Sequence, residues 1–174
     1  MISLSIVIPC YNSEKFIGKT IQSILNQSFQ DWELLIINDG STDDSLNVIS
    51  KYQLIDDRIQ VFTIKNGGVN KARNFGYTKV NAYSKYVHFM DSDDILDQEY
   101  YYQLVSFLEL NPDFGAAYSN HYFIDENDNK TLSSNWGDRL IPTRLWIKKI
   151  EENFIETPYI SIALWCKMVE PMVV

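Results

Sequence analysis

Four short apolar runs recur along the first half of the chain: Leu4 to Pro9, Trp32 to Ile37, Ile59 to Ile64 and Tyr86 to Met90. They are rich in Val, Ile, Phe and Tyr and do not alternate cleanly between apolar and polar positions. A strand covered on both faces reads this way. Between the runs the apolar spacing becomes helical. Lys15 to Gln27 carries Phe16, Ile17, Ile21, Ile24 and Leu25, and Asp43 to Tyr52 carries Leu46, Val48 and Ile49. Val69 to Val80 predicts a third helix, and Gln98 to Leu110 a fourth that ends before Pro112. A fifth strand is expected over Gly115 to Ile124. The polar, turn-rich stretch from Asp125 to Asp138 predicts a loop. Beyond it, Thr143 to Asn153 fits an amphipathic helix, and Ile160 to Met168 is open between strand and helix.

Strands alternating with helices predict an α/β fold with an open, mostly parallel sheet flanked by helices. Right-handed crossovers would then bring the strand C-termini to one edge, and ligands of such sheets bind in the crevice outside that edge. Each predicted strand ends in a polar cluster. These are Pro9-Cys10-Tyr11-Asn12, Asn38-Asp39-Gly40-Ser41, Asn66-Gly67-Gly68 and Asp91-Ser92-Asp93-Asp94. Four clusters on one expected rim carry more information than any one of them.

The fourth cluster places three carboxylates within four residues, where they repel one another unless solvated or neutralised by a cation. Oxygen-rich sites of this kind suit Mg2+ or Mn2+. The competing reading is a capped turn, with Asp93 or Asp94 capping the next helix and Asp97 in its first turn. In the second cluster Asp39-Gly40 is a turn dipeptide, and Ser41 with Asp44 fits a capping box. Asp39 itself is open between turn former and acceptor for the N3–H of a uracil ring. In the third, two glycines before a helix leave backbone N–H groups for an anion, and Arg73 is placed either to clamp a phosphate or to sit in solvent. Ala72 and Gly76, four apart, would let this helix lie close to the sheet. Tyr11 is a stacking candidate or half-buried packing. His88, inside an apolar run, reads as a hydrogen-bonded core residue, and His121 has no partner in sequence. Tyr100-Tyr101-Tyr102 reads as helix packing with one exposed ring.

Length and charge narrow the classes. The 174 residues predict a single domain. A formal net charge of −8 disfavours nucleic acid and anionic membrane surfaces, so an anionic ligand needs a cation or a few placed donors. Cys10 and Cys166 match no metal or redox spacing and read as reduced thiols of a cytosolic protein. No run reaches the length needed to span a bilayer, and the short apolar N-terminus lacks the features of a signal peptide. There is no G-x-G-x-x-G after the first strand, no G-x-x-x-x-G-K-[ST] and no G-x-S-x-G. A nucleotidyltransferase would want a Gly-rich basic loop where Cys10-Tyr11-Asn12-Ser13-Glu14 stands.

Taken together, Ser5-Ile6-Val7-Ile8-Pro9-Cys10-Tyr11-Asn12, Asp31-Trp32-Glu33-Leu34 through Asn38-Asp39-Gly40-Ser41-Thr42-Asp43, Ala72-Arg73-Asn74-Phe75-Gly76 and Met90-Asp91-Ser92-Asp93-Asp94 resemble family 2 glycosyltransferases of the GT-A fold, over roughly residues 3 to 125. The resemblance implies a nucleoside-diphosphate sugar as donor, a UDP-sugar foremost, and a saccharide or lipid-linked acceptor. It places Pro9, Tyr11 and Asp39 at the nucleoside, Arg73 on the diphosphate side, and Asp91-Ser92-Asp93 as the D-x-D motif. In that motif Asp91 lies near the ribose and Asp93 takes Mn2+ or Mg2+. It also implies transfer with inversion and a cytoplasmic location, free or peripheral at the inner face of the membrane.

Inverting members use a downstream carboxylate as general base. Ala163-Leu164-Trp165-Cys166-Lys167-Met168 resembles the stretch that precedes it, and Glu170 is the only acid that follows. The expectation is therefore a truncated domain that lacks the base and much of the acceptor site, and is weak or inactive in transfer. The alternative is a non-catalytic domain that holds UDP or a UDP-sugar.

Overall fold

A computed structural model describes residues 2–119 together with three short strands at 122–124, 130–132 and 163–166. Seven consecutive residues of β1 (Leu4–Cys10) are buried, as are all seven of β2 (Trp32–Asn38). Successive side chains of a strand point to opposite faces, so such strands need apolar cover on both sides. Ile6, Ile8, Leu34 and Ile36 enter one core with α1 (Ile17–Leu25), α2 (Ser45–Gln53) and α4 (Tyr100–Leu110). Val7, Leu35, Ile37 and Val87 enter a second core beneath α3 (Val69–Tyr77).

The main sheet has six strands in the order β3-β2-β1-β4-β8-β5, where β3 is Ile59–Thr63, β4 Tyr86–Phe89, β5 Ala116–Tyr118 and β8 Ala163–Cys166. The first four are mutually parallel, and β8 runs antiparallel to both neighbours. From β1 the chain steps outward through β2 to β3, then α3 carries it back across the other face to β4, on β1's free side. The strand order therefore reverses between β1 and β4. Open α/β sheets bind ligands outside the strand C-termini at such a switch point.

The expected strands and helices are present with ends shifted by a few residues. The long fifth strand is not one element. Ala116–Tyr118 joins the main sheet, whereas β6 (Tyr122–Ile124) pairs antiparallel with β7 (Lys130–Leu132) in a separate two-stranded ribbon. The expected loop over 125–138 thus contains a strand. Two-stranded ribbons bury little, so Lys130-Thr131-Leu132 carries no apolar run to betray it. The open segment Ile160 to Met168 contains a strand, β8. Its neighbours β4 and β5 pair with it on both sides, which settles a choice that periodicity left undecided. The helix expected over 143–153 lies outside the described residues, as do His121 and Glu170.

Helix α3 lies against the sheet because of Gly76. A Cβ added there would collide with Val7 Cγ1 and stand 3.1 Å from Ile37 Cγ1. Val7 is β-branched and cannot swing aside cheaply. Ala72, one turn earlier, is fully buried on the same face. Gly76→Ala is expected to lower the unfolding free energy by about 1–3 kcal/mol through overpacking, despite alanine's better helix propensity. Urea denaturation of the two proteins measures this, and equal midpoints would contradict the close approach.

Candidate functional site

Pro9, Cys10, Tyr11, Asp39, Gly68, Val69, Asp91, Ser92 and Asp93 line one open cavity of about 300 Å3 at the switch point. Six of the seven residues singled out from sequence are among them; the seventh, Arg73, joins through an ion pair to Asp91. A second open cavity, about 430 Å3, lies between α1 and residues 95–98 and contains none of the seven.

Asp39 directly follows β2 and is only 2% exposed. Its carboxylate accepts the Gly67 N–H at 2.9 Å and the Gly68 N–H at 2.8 Å, while its carbonyl accepts Asn66 Nδ2 at 3.0 Å. The two glycine amides expected to await an external anion are therefore taken by the protein's own carboxylate. A carboxyl group buried this deeply needs hydrogen-bond partners, and the loop before α3 supplies the nearest pair. Gly68 at φ +87° and Gly40 at φ +69° hold the turns that make this possible. A carboxylate has about four lone-pair positions, so Asp39 retains capacity for a further donor from the cavity.

The capping box expected for α2 does not form. The Ser41 hydroxyl instead accepts the Asn12 N–H at 3.1 Å, and the Ser45 N–H is taken by Asp43 Oδ1 at 3.0 Å. Asn12 adopts φ +49°, a conformation asparagine tolerates, and its Oδ1 accepts the Thr42 N–H at 2.8 Å. Glu14 reaches the same segment by accepting the Asp44 N–H. The loop after β1 is thus laced to the loop after β2, which leaves the Tyr11 ring half exposed over the cavity.

In the acidic cluster neither Asp93 nor Asp94 caps helix α4. Helix α4 starts only at Tyr100, and Asp97 serves its entry by accepting the Glu99 N–H at 3.0 Å. Asp93 and Asp94 stand too far upstream to cap it. Arg73 Nη2 donates to Asp91 Oδ1 at 2.5 Å, and the two side chains are 18% and 38% exposed. Arg73 therefore neutralises Asp91. It is neither free in solvent nor poised solely for a phosphate, because α3 presses it against the end of β4. Its buried Nε has no hydrogen-bond partner among the described residues.

Among the described residues no such cation pairs with Asp93 or Asp94. Partial desolvation, then the charges of Asp91 and Asp93, push the Asp94 carboxyl up to about 6. A cation beside these groups would relieve that repulsion. Among the described residues no three His, Cys, Asp or Glu side chains converge as a ready metal cage. Mg2+-type sites that hold substrate phosphates use one or two carboxylates, and the ligand and water complete the shell. Asp93 with its neighbours fits that donor set.

Ser92 lines the cavity and also has partners within the protein. Its hydroxyl pairs with Ser13 Oγ at 2.7 Å and its carbonyl accepts Thr20 Oγ1 at 2.9 Å. Neither Ser13 nor Thr20 was singled out from sequence; a Ser and a Thr before and within a helix carry no signal of their own. His88 is a core residue, with Nδ1 2.9 Å from the Tyr101 hydroxyl. Tyr101 is buried and Tyr102 is 56% exposed, as expected of that triplet. Cys10 is a buried free thiol, raised by burial, and its chemistry is that of a small apolar side chain.

The sequence profile of glycosyl transferase family 2 matches residues 5–168. Glycosyltransferase GlyA of Streptococcus pneumoniae is 31% identical over 170 residues, 95% of this chain and 24% of GlyA. The minor teichoic acid biosynthesis protein GgaA of Bacillus subtilis is 41% identical over 98 residues, 54% of this chain and 22% of GgaA. Among solved structures, residues 1–349 of S. aureus TarS in complex with UDP-GlcNAc superpose with a TM-score of 0.59 at 30% identity, covering 63% of this chain and 32% of that one. Mannosyltransferase PcManGT from Pyrobaculum calidifontis, at 17% identity and a TM-score of 0.59, shares the fold. The chain thus spans about a quarter of the length of GlyA and a similar share of GgaA.

Asp39→Asn removes one of the two acceptors that hold Gly67 and Gly68 and sets an amide N–H against a backbone N–H. The expected cost is about 1–3 kcal/mol of stability. Thermal unfolding, with hydrogen exchange at Gly67 and Gly68, checks this. Unchanged protection of both amides would contradict the assigned contact.

Proposed function

The chain belongs to glycosyl transferase family 2, and from that premise we propose that it binds a UDP-sugar at the β1/β4 switch point. It transfers the sugar, with inversion, to a hydroxyl of a saccharide or lipid-linked acceptor. The observation that carries this reading is the meeting of Asp39, Arg73-paired Asp91 and Asp93 in one cavity beneath Tyr11. The UDP-GlcNAc complex of the similar TarS supports the choice of nucleotide.

In this reading the uracil ring lies against Tyr11 and Pro9 and donates its N3–H to the remaining capacity of Asp39. Cytosine carries a lone pair at that position and would meet the carboxylate unfavourably. Arg73 stands on the diphosphate side, where its pairing with Asp91 cancels a negative charge that would otherwise repel the phosphates. Asp93 holds Mn2+ or Mg2+, and such an ion, when bound, stabilises the charge on the departing diphosphate. The acceptor oxygen forms its bond to the anomeric carbon as the bond to the diphosphate breaks on the opposite face. The hydroxyl proton passes to a carboxylate base, a role that none of the described residues is assigned. No helix among the described residues is long and apolar enough to cross a membrane. We place the reaction in the cytoplasm, with contact to the inner membrane face where the acceptor is lipid-linked.

Calorimetric titration of UDP with and without Mn2+ tests the donor site. UDP is expected to bind more tightly with Mn2+ and to outcompete CDP and GDP. Asp93→Asn should abolish the gain from Mn2+ while leaving weak metal-independent binding. Equal affinity with and without Mn2+ would remove the metal assignment, and a preference for GDP would remove Asp39 from the role of reading uracil.

A further inference from the structure

Ser92 is the residue between the two carboxylates of the motif, and the segment after β1 grips it twice, at its carbonyl and at its hydroxyl. Thr20, fully buried on α1, donates its hydroxyl to the Ser92 carbonyl at 2.9 Å; its alternative acceptor, the Phe16 carbonyl, lies at 3.5 Å. Ser13, 8% exposed, meets the Ser92 hydroxyl at 2.7 Å and the Tyr11 carbonyl at 3.3 Å. Each hydroxyl has one proton to give. The assignment that satisfies every partner runs in one direction, with Ser92 donating to Ser13 and Ser13 donating to the Tyr11 carbonyl. The Ser13 N–H is itself fixed by Ser45 Oγ at 2.8 Å, at the first turn of α2. One chain of hydroxyls therefore joins the acidic loop, the residue whose ring overhangs the cavity, and the helix that follows Asp39.

Left to themselves, Asp91 and Asp93 would swing apart, because like charges repel and the segment from 91 to 99 belongs to no helix or strand. Arg73 restrains only the first of them. The geometry points to Ser13 and Thr20 as positioning residues: through Ser92 they hold the Asp93 carboxylate at the angle that receives the cation, and they tie that angle to the nucleoside side of the cavity. The inference rests on Asp93 being the metal-binding carboxylate. Groups that orient ligand-bearing residues without touching the metal alter affinity by about 10-fold or more when removed.

Three variants separate this from a merely structural role. Thr20→Val keeps the shape and loses the donor, Thr20→Ser keeps the donor, and Ser13→Ala breaks the relay. Hydrogen exchange at the amides of 92–94 in the unliganded protein reads the restraint directly. The gain in UDP affinity caused by Mn2+ reads its consequence, and thermal midpoints are compared alongside. Thr20→Val and Ser13→Ala are expected to speed exchange at 92–94 and cut the Mn2+-dependent gain about 10-fold, with metal-free UDP affinity close to wild type. Thr20→Ser should restore both. Unchanged exchange at 92–94 in Thr20→Val and Ser13→Ala overturns the inference. So does faster exchange with the full Mn2+ gain retained. Absence of any gain in the wild type instead defeats the metal assignment, and the exchange data alone then decide whether Ser13 and Thr20 hold the loop. Should Thr20→Val fail to fold, Ser13→Ala carries the same comparison.

Discussion

A strand with no exposed residue obliges the chain to cover both of its faces, and β1 imposes that obligation on everything around it. Helices on a single side would leave Val7, Leu35 and Ile37 in water. Covering them requires a crossover on the opposite face, and α3 provides it on the way from β3 to β4. The reversal of strand order follows from that crossover, and the crevice follows from the reversal. The hydrophobic demand of one heptapeptide thus places Cys10, Asn38 and Asp91 on a common rim before any of their own chemistry is considered.

The rim then has an electrostatic problem, since Asp39, Asp91, Asp93 and Asp94 gather on a chain that is already acidic. Each carboxylate meets a different answer. Asp39 is absorbed into the backbone by two glycine amides, so the start of α3 is occupied by a group covalently part of the fold. Asp91 is matched by Arg73. Asp94 shifts its proton affinity upward. Among the described residues Asp93 receives neither such a donor nor such a counter-charge. A polar cleft of this kind is organised by deciding which charges are already spent.

The buried strands and the rim were legible in sequence because Leu4 to Pro9 and Trp32 to Ile37 lack alternation and because polar clusters follow each run. Asp39, Asp91 and Asp93 were visible as residue types at strand ends, and Arg73 as a cation one turn into a helix. Their internal partners were not, because the partners are backbone amides or lie far along the chain: Gly67 for Asp39, Asp91 for Arg73, Ser13 for Ser92. Local rules also overreached. Ser41 and Asp44 have capping-box spacing, yet Ser41 is drawn off by Asn12, and the helix begins later at Ser45. Strand β8 was ambiguous because a short apolar run has no period of its own; its identity comes from the edges of β4 and β5.

The contact at Gly76 reaches further than packing. Helix α3 carries Arg73 one turn away from it, on a rod whose height above the sheet is set by a single hydrogen atom where other residues have a methyl group. Anything larger acts as a shim under one end of that rod. Lifting the helix would swing the guanidinium off Asp91 and unbalance the charges of the rim, although the altered residue touches no ligand. Variation on the hidden side of α3 is therefore a dial for the charge balance of the rim, set from the protein's interior.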